Sequence, residues 1–163
     1  MKILLLFILV SAPVQASFNS LVEHVSTTTG VPSWVIKSIC VHESQSFHNN
    51  TRQAWPWTVN VGGDGNWFTS KQYAVEFVNE KLGEGLRNVD IGICQMNYRY
   101  HSMKFTSVNH MFDPLENMIK AAEYVKQQKR ADSWEIAIGR YNSPGNEERA
   151  EKYRQIVLSK SVY

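Results

Sequence analysis

Residues 33–47 read SWVIKSICVHESQSF, and the pattern inside them decides how the chain is built. At helical period Val35, Ile36, Ile39 and Cys40 fall on one stripe. Glu43 comes four residues after Ile39 and three after Cys40, so a carboxylate stands where that stripe would continue with a hydrophobe. Desolvation against the stripe pushes such a group toward its protonated form, and so does the negative end of the helix dipole if the helix stops near Ser44. A carboxylic acid that keeps its proton near neutral pH is what a general acid requires. The plainer reading of Glu43 is a helix-end side chain reaching into solvent, and the rest of the chain has to decide between the two.

At 163 residues the chain suits one domain with a real hydrophobic core. Lys2, the apolar run Ile3 to Val10, Pro13 and the small-residue end at Ala16 have the pattern of a secretory signal peptide over residues 1–16, leaving a domain of residues 17–163. The alternative, an uncleaved anchor, is short for a bilayer span. The expected location is therefore periplasmic or secreted, with no stable membrane insertion after cleavage. The formal charge is +2, of which Lys2 contributes one, and no dense Lys/Arg block occurs, so nucleic acid is not an expected partner. An oxidising compartment and an even count favour a disulfide between Cys40 and Cys94, with two buried free thiols as the alternative. No C-x-x-C and no helical His pair at ligand spacing is present, so no metal or organic cofactor is expected.

Ser20-Leu21-Val22-Glu23 has the form of a capping box opening a helix that Gly30 stops, and Pro32 or Ser33 suits the first turn of the Glu43 helix. His48 to Arg52 reads as a polar loop. The β-prone residues 55–61 and 67–68 flank Gly62-Gly63-Asp64-Gly65 and predict a small hairpin. Its three tryptophans form either a satellite core under the loop or the aromatic wall of a cleft. Thr69 to Gln72 caps a helix with Tyr73, Ala74, Phe77, Val78 and Leu82 on one face, ending at Gly83. In residues 88–97 the amides of Gln95 and Asn97 interrupt an apolar run; they either bond the protein's own backbone or point into a cleft. Residues 101–110 read as irregular. Asp113-Pro114-Leu115-Glu116 is the clearest helix start, with Leu115, Met118, Ile119, Ala122 and Val125 as its buried stripe. Asp132 to Glu135 caps a helix that turns Tyr141 inward, where its hydroxyl needs a partner, and a last helix from about Glu147 buries Ala150, Tyr153, Ile156 and Val157.

Three separated pieces line up: Glu43-Ser44, then Gly92-Ile93-Cys94-Gln95-Met96-Asn97, then Arg140-Tyr141-Asn142. In this order, from about Ser20 to Tyr153, the chain resembles the soluble-type lytic transglycosylases, which cleave the glycan strands of peptidoglycan. The stretch Trp55-Pro56-Trp57-Thr58-Val59-Asn60 is similar to that of the subgroup associated with conjugation, pilus and secretion machines. The resemblance implies a mainly α (α+β) fold of lysozyme-like type, with a small β-hairpin beside the active-site cleft. It implies Glu43 as the single catalytic acid, Ser44 as its companion, and Gln95, Asn97, Tyr141 and Asn142 as substrate-binding positions. Cys94 stands where the family commonly has Met, and Arg140 where a small residue often precedes the Tyr. A bond from Cys94 to Cys40 would compensate the first departure by tying the acid's helix to the second motif.

The implied reaction cleaves the β-1,4 bond between N-acetylmuramic acid and N-acetylglucosamine and leaves 1,6-anhydro-muramic ends. The expected partners are peptidoglycan strands and components of a secretion, conjugation or pilus machine. A goose-type lysozyme is the alternative in the enzyme class, and needs a second carboxylate across the cleft. Asp90 is the candidate, against a plain role in bonding nearby backbone; Asp64 reads more simply as a turn residue. A non-catalytic glycan-binding module is the third reading, disfavoured because a pure binder has no need of a desolvated acid.

Overall fold

A computed structural model describes residues 17–48 and 51–160. The expected leader, residues 1–16, lies outside them. Helices α1 (Phe18–Thr29) and α2 (Ser33–Ser44) are followed by the paired strands β1 (Ser46–His48) and β2 (Thr51–Gln53). Strands β3 (Thr58–Val61) and β4 (Asp64–Trp67), helix α3 (Lys71–Gly83), and strands β5 (Val89–Ile91) and β6 (Met96–Asn97) come next. Short helices α4 (Tyr98–His101) and α5 (Val108–Met111) lead into α6 (Pro114–Lys129), α7 (Trp134–Asn142) and α8 (Glu147–Lys160). The fold is thus mainly helical with small antiparallel sheets, an α+β arrangement. Among the described residues no helix is long and apolar enough to cross a membrane.

Helix α2 is the hub, packed by α1, α6, α7 and α8. Val35, Ile36, Ile39 and Cys40 are all buried there, as the 3.6-residue stripe requires. Gly30 ends α1 in the left-handed conformation with φ 72°, and Asp113 caps α6 by accepting from the Glu116 N–H.

The hairpin β3–β4 turns through Gly62 and Gly63, with φ 63° and 112°, values that a two-residue hairpin turn demands and glycine supplies. It is part of a larger sheet of order β4-β3-β5-β6. Val59, Ile91 and Met96 share the buried face, and opposed Asn60, Asp90 and Asn97 share the other.

Several local expectations are corrected. Helix α1 is capped by Ser17, three residues before the expected box, because the Ser20 hydroxyl turns back to donate to the Ser17 carbonyl. Ser133, which accepts from the Ile136 N–H, caps α7. At the expected polar loop, residues 46–48 and 51–53 form the paired strands β1 and β2, and the stretch expected to be irregular holds the last residue of α4, a 3₁₀ turn and most of α5. Tyr73 and Ile156 are exposed, since the edges of those two apolar stripes face no neighbouring element.

Candidate functional site

Glu43 occupies the last turn of α2, which stops at Gln45 in the left-handed region with φ 45°. The stripe that drives α2 into the core carries the Glu43 side chain with it to a partly buried position. From α8, buried Tyr153 donates its hydroxyl to Glu43 Oε1. The Glu43 pKa is raised from 4.5 to about 7, the balance of desolvation, which raises it most, the Tyr153 hydrogen bond, which opposes the rise, and the charge of Asp90, which adds to it. Near neutral pH this carboxyl is therefore divided between acid and base forms.

His42 stacks edge-on against Tyr153, with ring centroids 5.2 Å apart. Burial, assisted by the charges of Lys160 and Arg52, lowers its pKa to about 4, so it is neutral beside the carboxyl at pH 7. Asp90 projects from β5 on the polar face of the sheet. Asn97 Nδ2 donates to Asp90 Oδ1 at 2.7 Å, and desolvation outweighs that bond to raise the Asp90 pKa.

The remaining expected site residues form the frame around the acid. A disulfide joins Cys40 to Cys94, covalently linking α2 to the segment after β5. Tyr141, buried on α7, donates to the Cys94 carbonyl at 2.7 Å, the partner its hydroxyl needed. Ser44 is fully buried; its hydroxyl donates to the Cys40 carbonyl at 2.8 Å and accepts from the Trp55 N–H at 3.1 Å. Gln95, with φ 50°, donates to the carbonyls of Thr58 and Gly92, and so takes the backbone-bonding alternative. Asn97 also bonds Asn88 and caps α4 by accepting from the Arg99 N–H. Asn142 is exposed and accepts from the Ser143 hydroxyl. Glu43, Ser44, Asp90 and Tyr141 are gathered around one end of α2, with Asn97 bonded to Asp90, while Gln95 spends its amide on backbone carbonyls and Asn142 stays exposed. Asp64 is exposed at the start of β4.

Two contributors were not read from the sequence. The sequence reading gives Tyr153 only a place in the α8 stripe, although the rule that a buried tyrosine hydroxyl needs a partner applies to it as it does to Tyr141. Asn117 sits in the apolar stripe of α6, fully buried. Its Oδ1 accepts from the Cys94 N–H at 3.0 Å, and its Nδ2 donates to the carbonyls of Ile91 and Met111. Gly92, with φ 85°, leaves the room: a Cβ there would lie 2.6 Å from Asn117 Nδ2. No signal in the sequence marks Asn117, because an Asn beside an apolar stripe reads the same whether it is buried or exposed.

Among the described residues no group of three or more His, Cys, Asp or Glu side chains is placed to hold a metal ion. A separate groove of about 350 Å³ lies between α7 and α8, where Arg140 pairs with Asp132 at 2.6 Å and Arg154 with Glu151 at 2.7 Å. No protein-family model, no curated protein and no solved structure matches the chain.

Proposed function

We propose that this chain is a peptidoglycan lytic transglycosylase with a lysozyme-like fold. It would be exported to the periplasm or secreted, and would open the wall locally for an envelope-spanning secretion, conjugation or pilus machine. The observation that carries the reading is Glu43: a partly buried carboxyl, held by the Tyr153 hydroxyl, with a pKa of about 7. A residue that must first give a proton and then take one works best when both forms are accessible at the working pH.

In the first half-reaction protonated Glu43 donates to the oxygen linking N-acetylmuramic acid to N-acetylglucosamine, and the C1–O bond breaks as positive charge builds at the anomeric carbon. In the second, ionised Glu43 takes the proton of the muramic C6 hydroxyl while O6 bonds to C1. The acid is regenerated, no water is consumed, and a 1,6-anhydro end results. Tyr153 fixes the rotamer of the carboxylate and stabilises it between the two steps.

Asp90 supports a second reading. Its charge reaches Glu43, and it lies on the polar sheet face, where a hydrolase would place its second carboxylate. The products discriminate. Residues 17–163 and the Glu43→Gln variant are incubated with purified peptidoglycan, and the released sugars are weighed by mass spectrometry. Anhydro-muramic ends from the unmodified protein alone are the expected result. Hydrated reducing ends would turn the assignment to a lysozyme that uses Asp90, and release by the Glu43→Gln variant would remove Glu43 from the chemistry.

A further inference from the structure

Trp67 ends β4, the edge strand of the four-stranded sheet, and is 51% exposed. A single exposed tryptophan requires no explanation. This one is fastened on two sides. Its indole N–H donates to the Ser44 carbonyl at 2.7 Å, one residue from Glu43. Its six-membered ring lies against the backbone of Gly65, where a Cβ would come within 2.8 Å of Cη2. Gly65 has no positive φ, so its backbone does not need glycine; the absent side chain makes room for the indole.

The register places this ring relative to the acid. Gly65 is opposed to Asn60 and Asn60 to Asp90, so these positions share a sheet face, and Trp67, two residues after Gly65, is on it too. That is the face from which Asp90 acts on Glu43. The other two tryptophans of the region are engaged elsewhere: Trp55 and Trp57 pack edge to face at 5.5 Å, and the Trp55 N–H is held by the Phe68 carbonyl.

We infer that Trp67 is a stacking platform for one pyranose ring of the glycan, immediately beside Glu43. The inference rests on the glycan-cleaving reading above and names the residue that seats the sugar. A β-1,4-linked N-acetylhexosamine carries its substituents equatorially and so presents a C–H face, which an indole face covers well. An indole already fixed by its N–H and by Gly65 loses little freedom when the sugar arrives.

The competing role for Trp67 is only to satisfy the Ser44 carbonyl at the end of α2, and three variants separate the two. Trp67→Phe keeps a ring and loses the donor, Trp67→Ala loses both, and Gly65→Ala keeps the tryptophan but forces its ring out of place. Each is made in the full chain carrying Glu43→Gln, checked for an unchanged circular dichroism spectrum, and titrated calorimetrically with the β-1,4-linked tetramer of N-acetylglucosamine. The expected result is a loss of about tenfold or more in affinity for Trp67→Ala and Gly65→Ala, with Trp67→Phe within about threefold of its parent. Equal losses for Trp67→Phe and Trp67→Ala, unchanged affinity in Trp67→Ala, or no binding by the parent would each overturn the platform. The glycan-cleaving reading fails separately: Trp67-dependent binding without release of anhydro or hydrated ends from the unmodified chain keeps the platform and removes the enzyme.

Discussion

Glu43 has neighbours that pull its proton in opposite directions. The Tyr153 hydrogen bond favours the ionised form, whereas burial and the Asp90 charge favour the protonated one. Removing either neighbour therefore moves the titration in a known sense. For the proposed reaction the basic limb of the pH–activity profile is expected near 7; Tyr153→Phe is expected to shift it upward and Asp90→Asn downward. Limbs that move together, or not at all, would show that a different group governs the profile. The same ionisation is linked to stability. Because the folded pKa is raised above the unfolded one, the contribution is fully present below about pH 4.5 and is lost as pH rises through 7. A rise from 4.5 to about 7 corresponds to roughly 3 kcal/mol. Glu43→Gln should accordingly gain on the unmodified protein by up to about that amount between pH 4 and pH 8, measured by urea unfolding of both proteins. A gap that stays constant with pH would mean that Glu43 titrates normally. His42, lowered to about 4, loses stability in the acid direction in both proteins and cancels from the difference.

At the scale of the elements, the strongest local signals match the structure, while weaker ones, such as the cap of α1 and the strands β1 and β2, do not. The stripe of α2, the Asp113-Pro114 start of α6 and the Gly62-Gly63 turn are set by residues within one or two turns of each other, so their signals survive in a linear string. The pairing of β3 with β5 joins residues some thirty positions apart, and nothing in the local pattern of residues 88–91 announces a partner. Tyr153 and Glu43 are 110 residues apart, and only the packing of α8 on α2 brings them together. Asn117 was hidden for a different reason. It lies among Met118, Ala121 and Ala122, and periodicity cannot distinguish a buried amide from a helix surface residue next to the stripe. Its role predicts a large effect from a small change. Asn117→Ala leaves the Cys94 N–H and the carbonyls of Ile91 and Met111 without their partner in a buried setting, at an expected cost of about 3 kcal/mol or more. Urea unfolding measures it; a loss below about 1 kcal/mol would mean that water replaces the amide without penalty.

Over the whole molecule the disulfide is the covalent constraint on the site, joining positions 54 residues apart, one of them three residues before Glu43. It can act either on the unfolded chain, by removing conformations, or on the folded site, by holding the acid in place. The surrounding bonds argue for the first. Cys94 is already fixed through its N–H to Asn117 and through its carbonyl to Tyr141, and α2 is clamped by four helices. Glu43 itself is held by Tyr153 from a helix that the disulfide does not touch. The double variant Cys40→Ala/Cys94→Ala should thus lose stability by about 4 kcal/mol, the chain-entropy value for a loop of this length. The pH at which Glu43 titrates at 25 °C should stay where it was. Both quantities come from one experiment, urea unfolding of the variant with and without Glu43→Gln across pH 4 to 8. A drop in stability with an unmoved Glu43 titration places the effect of the bond in the unfolded chain. A titration that moves toward 4.5 would mean that the bond, and not the packing of α2, keeps the acid out of water.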